Sequence, residues 1–265
     1  MRVIRWLVWG LVSLSLTACS SSSDGANSGQ NGGDAGIDLG GEPDGGYDDL
    51  DAGAHPMPND AGGYPYAGGA LAADRFVTAV VDFVPGVCAG FGSDAMPTVV
   101  EGPPSGGGMQ MGGLDVVSLG TGGSITLSFA PNGIIDGPGA DFIVFENPFV
   151  VNVSDPSTVF AELGEVSVSD DGITWTTFAC TATAYPYGAC AGWHPVLSSP
   201  ENGISPVDPH AAGGDAFDLK DVGVAHARFV RIVDKTNEAC PESGAKPTKN
   251  GFDLDAVSVV NVDAP

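Results

Sequence analysis

From about residue 70 onward, short apolar runs rich in Val, Ile, Phe and Leu alternate with Gly, Pro, Asp and Asn punctuation. Eight runs predict strands: Phe76–Phe83, Val116–Leu119, Ser124–Phe129, Asp141–Glu146, Glu165–Ser169, Thr174–Phe178, Ala227–Asp234 and Phe252–Val260. The clearest unit is a hairpin. Val166 and Val168 alternate with Ser167 and Ser169, and Asp171-Gly172 then supplies residues suited to positive φ. Trp175, just after that turn, is expected in the core. Only Thr158–Leu163 and Leu219–Val222 read as briefly helical. Many short strands with turn signals between them predict an all-β, antiparallel β-sandwich over residues 70–265. In the last run, alternation puts Phe252, Leu254 and Ala256 on one face and Asp253 and Asp255 on the other.

The first residues follow a different pattern. Arg2 and Arg5 precede an apolar stretch from Trp6 to Leu16, which ends in Leu16-Thr17-Ala18-Cys19. The stretch has the length of a signal-peptide core and is too short to span a bilayer core of about 30 Å. An apolar residue, two small ones and a cysteine form a bacterial lipobox. Residues 1–18 therefore read as an export signal and Cys19 as the thiol that receives diacylglycerol. Cleavage by the ordinary signal peptidase, with Cys19 a plain cysteine, is the alternative. Each buried acyl methylene adds about 0.8 kcal/mol of membrane attachment. Ser20 after the cysteine fits sorting to the outer membrane, so the expected location is lipid-anchored and surface-exposed. Residues 19–69 form a Ser/Gly/Asp-rich stretch without apolar periodicity, read as a disordered tether. A Gly-rich coil of that length has an r.m.s. span of roughly 35–40 Å.

Charge and cysteines narrow the partners. The formal charge is −24, and residues 20–65 hold nine acids with no Lys or Arg. Such a surface repels phosphate backbones and excludes nucleic acid as a partner. It suits divalent cations and neutral or basic ligands, or serves solubility alone. Beyond Cys19, an even set remains: Cys88, Cys180, Cys190 and Cys240. In an exported chain this predicts two disulfides with three possible pairings. Cys180–Cys190 closes a local loop, and Cys88–Cys240 would tie the ends of the domain. A four-cysteine metal site is disfavoured because no Cys-x-x-Cys spacing occurs.

Three segments fall into a known order: VSVSDDGITWTTF (Val166–Phe178), ARFVRIVD (Ala227–Asp234) and GFDLDAVSVV (Gly251–Val260). They resemble the discoidin-like (F5/8 type C, galactose-binding-like) jelly-roll modules. The blocks Gly112–Phe129, Asp136–Phe149 and Gly213–Leu219 resemble bacterial cell-surface proteins of unassigned activity. The resemblance implies a jelly-roll sandwich with a ligand site on its loops and a structural calcium. It specifies no ligand.

Two sets of residues carry candidate chemistry. Asp141, Glu146, Asp215, Asp218, Asp253 and Asp255 cluster at the ends of expected strands, with Asp136 and Asp234 beside them. Calcium takes six to eight oxygens, which carboxylates and loop carbonyls supply. An Arg–Asp network through Arg228 or Arg231 is the equal alternative. Tyr185, Tyr187, Trp193 and His194 occupy the loop after Cys180. They form either an aromatic platform for an extracellular glycan or the cover of the loop's own core. Catalytic readings are poorer. Glu146 and Glu162 could form a glycosidase pair only at a suitable separation. No Gly-x-Ser-x-Gly elbow, His-Glu-x-x-His helix or Walker loop occurs. The leading expectation is a non-enzymatic surface binding protein. A structural or adhesion component and a glycan-processing enzyme are the rivals. Oligomeric state is not legible.

Overall fold

Alternation along Phe229–Asp234 sets the layering of the domain. Val230 and Ile232 are fully buried, while Arg231 between them faces outward. The computed structural model describes residues 63–237 and 251–263. The expected signal peptide, Cys19, most of the tether and Cys240 lie outside the described residues.

Phe229–Asp234 is the centre of a five-stranded antiparallel sheet. Its order across the sheet is Thr176–Phe178, Gly164–Ser169, Phe229–Asp234, Ser124–Ser128 and Ala79–Val84. Ile125, Leu127, Val166, Val168, Val230 and Ile232 form its buried face. They join one core with Phe142, Val144, Phe217, Val257 and Val259. Those residues come from a three-stranded antiparallel sheet in the order Asp215–Phe217, Phe142–Phe145, Ala256–Val259. The opposite face of that smaller sheet carries Ile143, Phe145 and Ala256. Val196 and Ala212, from the segment leading into Asp215–Phe217, cover it. This explains why Phe142–Phe145 reads as a continuous apolar run: it is buried on both faces. Every strand pairing described is antiparallel, and the helical elements described are short 3-10 turns. The all-β sandwich expectation holds.

The hairpin forms as read, with Val166 opposite Phe178 and Val168 opposite Thr176. Gly172 alone takes the positive φ, at 72°. Asp171 instead accepts hydrogen bonds from the Ile173 and Thr174 amides at 2.8 and 2.7 Å, an Asx-type turn.

Four expectations need correction. Trp175 is not core: it lies on the polar face of the five-stranded sheet, with the Arg231 guanidinium 3.8 Å from its ring centroid. Thr158–Leu163 is not helical. Pro156–Thr158 makes one 3-10 turn, and Val159–Phe160 then pairs with Phe149–Val150. Phe252–Val260 is not one strand. Asp253–Leu254 pairs with Val117–Ser118, and Ala256–Val259 pairs with Phe142–Phe145. The folded chain also begins before residue 70: Gly63–Tyr64 pairs with Leu71–Ala72, and Tyr64 is buried edge-on against Phe76.

Candidate functional site

The disulfide Cys180–Cys190 closes the loop that carries Tyr185 and Tyr187, and Trp193 and His194 follow just after it. Cys88 is also disulfide-bonded, and its expected partner Cys240 lies outside the described residues. From the closed loop, Tyr185 and Tyr187 stand edge-on to Trp193 beyond it, at centroid distances of 5.6 and 6.0 Å. The His194 ring lies over Trp193 at 3.6 Å. The Trp193 indole N–H donates to the Cys190 carbonyl at 2.9 Å, which fixes the ring. None of these four side chains joins either hydrophobic core. They pack on one another at the surface.

Asp215 holds this wall from behind. It sits in the Asp215–Phe217 strand and is 4% exposed. Its Oδ2 accepts the Gly192 and Trp193 amides at 2.7 and 3.2 Å. Its Oδ1 meets His194 Nδ1 at 2.7 Å. In the neutral ring this places the proton on Nδ1 and leaves Nε2 as an acceptor. Gly192 is required here. Its φ is +91°, and a Cβ would stand 2.1 Å from the Glu162 carbonyl oxygen.

The wall faces an open cleft of about 420 Å³ bordered by Tyr185, Trp193, His194, His210, Val150 and Met109. Tyr187 does not border it; its contact is edge-on with Trp193. No serine, thiol or carboxylate is among the residues lining the cleft.

The six expected cation ligands do not converge on one point. Glu146 and Asp253 meet, and Glu162 joins them. One oxygen from each of these three lies within 4.8 Å of the others. Asp141 and Asp218 fall with Asp136 in a second group. There the Asp141 oxygens already accept from Gly137 N, Leu219 N and Asn261 Nδ2 at 2.7–2.8 Å. Asp215 serves the aromatic wall. Asp255 accepts the Ser105 amide on both oxygens, at 3.1 and 3.0 Å. Burial and the nearby Asp115 charge hold its carboxyl well above the usual range. The two arginines expected to serve Asp253 and Asp255 engage other groups. Arg228 pairs with Asp170, and Arg231 covers Trp175.

The trio of Glu146, Glu162 and Asp253 is built by three chain segments. Glu146 follows the Phe142–Phe145 strand, Glu162 precedes Gly164–Ser169, and Asp253 opens the last part of the chain. Successive amides of that last part are taken by carboxylates. Gly251 N donates to Glu162, Phe252 N to Asp234 and Asp253 N to Glu146, at 3.0, 2.8 and 3.2 Å. Burial, then the charges of Asp253 and Glu162, hold Glu146 well above the ordinary carboxylate range. Burial pushes Asp253 up to about 6, against hydrogen bonds from Ser118 and Asn147, with the Asp234 charge adding to the rise. Glu146 and Glu162 are only 1% and 6% exposed. Neither carboxyl of the expected glycosidase pair is among the residues bordering the cleft.

A carboxyl whose pKa is raised on folding favours the folded state below its unfolded value and loses that contribution as pH climbs through the folded one. For Asp253 the window runs from 3.8 to about 6. In EDTA, the stability of Asp253→Asn relative to wild type is expected to improve as pH rises across that window. Thermal melts at pH 4, 5, 6 and 7 check this; a pH-independent difference would refute it.

No family model matches the chain, and no curated protein matches it. The discoidin-like resemblance therefore stays a likeness of short segments. Solved structures that it distantly resembles include a glycoside hydrolase, 10% identical, with a TM-score of 0.25 over 53% of this chain and 19% of that one. The C-terminal domain of a chitobiase from Bacteroides fragilis is 12% identical, with a TM-score of 0.23 over 52% of this chain and 61% of that one. The chain thus spans less than two thirds of either structure.

Proposed function

We propose that this chain is a lipid-anchored, surface-displayed binding protein of the outer membrane that holds a pyranose-bearing glycan without transforming it. The observation that carries this reading is the wall of Tyr185, Trp193 and His194 along an open cleft. Pyranose rings have an apolar C–H face and a hydroxyl edge. Trp193 and Tyr185 offer apolar surface to the face, and His194 Nε2 and His210 offer polar atoms to the edge. The Cys180–Cys190 closure and the Asp215 hydrogen bonds hold the wall in place before a ligand arrives, so less ordering entropy is lost on binding. The lipobox at Leu16–Cys19 and the acidic tether support display at the surface.

A glycan array probed with the purified chain tests the reading. Pyranose-bearing glycans are expected to retain wild type, and Trp193→Ala is expected to lose at least tenfold in signal. The Trp193 side chain belongs to neither core, so the variant should melt close to wild type. An array with no retained glycan, or equal retention by both proteins, would overturn it.

A further inference from the structure

We infer that Glu146, Glu162 and Asp253 hold a single hard divalent cation of the calcium class. Two observations lead there independently. The first is convergence: one oxygen from each carboxylate lies within 4.8 Å of the others. Oxygens around calcium sit at about 2.4 Å from the ion, so two of them can stand up to about 4.8 Å apart. The second is an unmet demand. Glu146 Oε2 and Asp253 Oδ1 are fully buried and have no hydrogen-bond partner among the described residues. Glu146 as a whole is 1% exposed. Buried carboxylate oxygens are normally satisfied, and an orphan here costs the desolvation of a charged group.

The Ser118 and Asn147 hydrogen bonds to the Asp253 carboxyl leave its Oδ1 unpartnered, and the nearby cationic side chains are engaged elsewhere. The described ion pairs of Arg228 and Lys235 are with Asp170 and Glu165, not with Glu146 or Asp253. Arg75 donates to the Val259 and Val260 carbonyls. Every further charge acting on Glu146 is negative, from Asp253, Glu162 and Asp215. A cation would satisfy both orphan oxygens and relieve three mutually repelling carboxylates at once. The donor set is all oxygen, with no imidazole or thiolate, which selects calcium or magnesium over zinc or copper. The second acidic group lacks the unmet demand, because the Asp141 oxygens are taken by three N–H donors.

The site stands apart from the saccharide reading, since it takes a cation whether or not the cleft takes a sugar. The test is calcium chloride titrated into EDTA-treated, dialysed full chain with no glycan present, read by calorimetry and by thermal melting. Expected are one calcium per chain and a rise in melting temperature of several degrees. Glu146→Gln and Asp253→Asn should each weaken calcium binding at least tenfold. In EDTA, however, each should melt no lower than wild type, because each removes a buried like charge. Asp218→Asn, in the other acidic group, should keep the full calcium response. No heat and no shift in wild type at 10 mM calcium would overturn the inference. So would calcium binding retained by both Glu146→Gln and Asp253→Asn, or lost in Asp218→Asn. If one of the first two variants fails to fold, the other decides.

Discussion

Asp141→Ala is expected to destabilise the domain by roughly 3–5 kcal/mol, the loss of three hydrogen bonds to a buried carboxylate at about 1–1.5 kcal/mol each. Asp141 is fully buried. Its side chain accepts from the Gly137 turn, from the Leu219 amide at the start of a 3-10 turn, and from Asn261 after the last core strand. Its backbone adds bonds to Phe217, Val260 and Asn261. One residue therefore ties three chain segments at one end of the smaller sheet. Removing the carboxylate leaves the buried Leu219 amide without its acceptor, takes the acceptor from the part-buried Gly137 amide, and leaves Asn261 Nδ2 only its longer bond to the Ala140 carbonyl. For a domain of this size the melting midpoint should fall by roughly 10 °C. Asp141→Asn should fall between, because it keeps an acceptor but turns a donor toward another donor. Chemical denaturation of both variants checks the ordering. A loss below about 1 kcal/mol for Asp141→Ala would show that these bonds are replaced by water at little cost.

The second large effect joins stability to binding. Asp215→Ala removes the acceptor for the Gly192 and Trp193 amides and for His194 Nδ1. A stability loss of roughly 2–4 kcal/mol is expected from three such bonds. Glycan binding should fall at least tenfold as well, although Asp215 does not border the cleft. Asp215→Asn separates the two consequences. Its carbonyl can still accept the two amides, while its NH2 group donates to His194 Nδ1. The neutral imidazole then carries its proton on Nε2, so the atom facing the cleft changes from acceptor to donor. Near-wild-type melting with altered glycan preference is the expected result, read by calorimetry and by the 15N shifts of His194. Unchanged preference with an unchanged tautomer would remove Asp215 from its positioning role.

The sandwich was readable because burial on one face leaves a period of two. Val166 and Val168, and Val230 and Ile232, announce the inner face of the large sheet, and Ser167 and Arg231 its outer face. The local disulfide was readable for a similar reason, since Cys180 and Cys190 bracket a short loop. The acids were not. An aspartate at a strand end looks the same whether it binds a cation, caps distant amides or orients a histidine. Asp141, Asp215 and Asp255 differ only in the partners that fold against them, and those lie far along the chain: Leu219 and Asn261, Gly192 and Trp193, and Ser105. Alternation alone put Asp253 and Asp255 together. The chain changes sheet partner between Leu254 and Ala256, which sends the two carboxylates to different neighbours. Glu162 was legible only as half of a catalytic pair, because nothing in its sequence neighbourhood signals that the Gly251 amide and two other carboxylates will meet it.

The most direct test of the central claim is a 1H–15N correlation map of the labelled chain, titrated with the glycan that binds best. The Trp193 indole N–H, now bonded to Cys190, and the amides of Tyr185, His194, Gly213 and Gly214 should show the largest shifts, with saturation at one ligand per chain. Shifts centred instead on Trp175 and the outer face of the five-stranded sheet, with the Trp193 indole unmoved, would contradict the account.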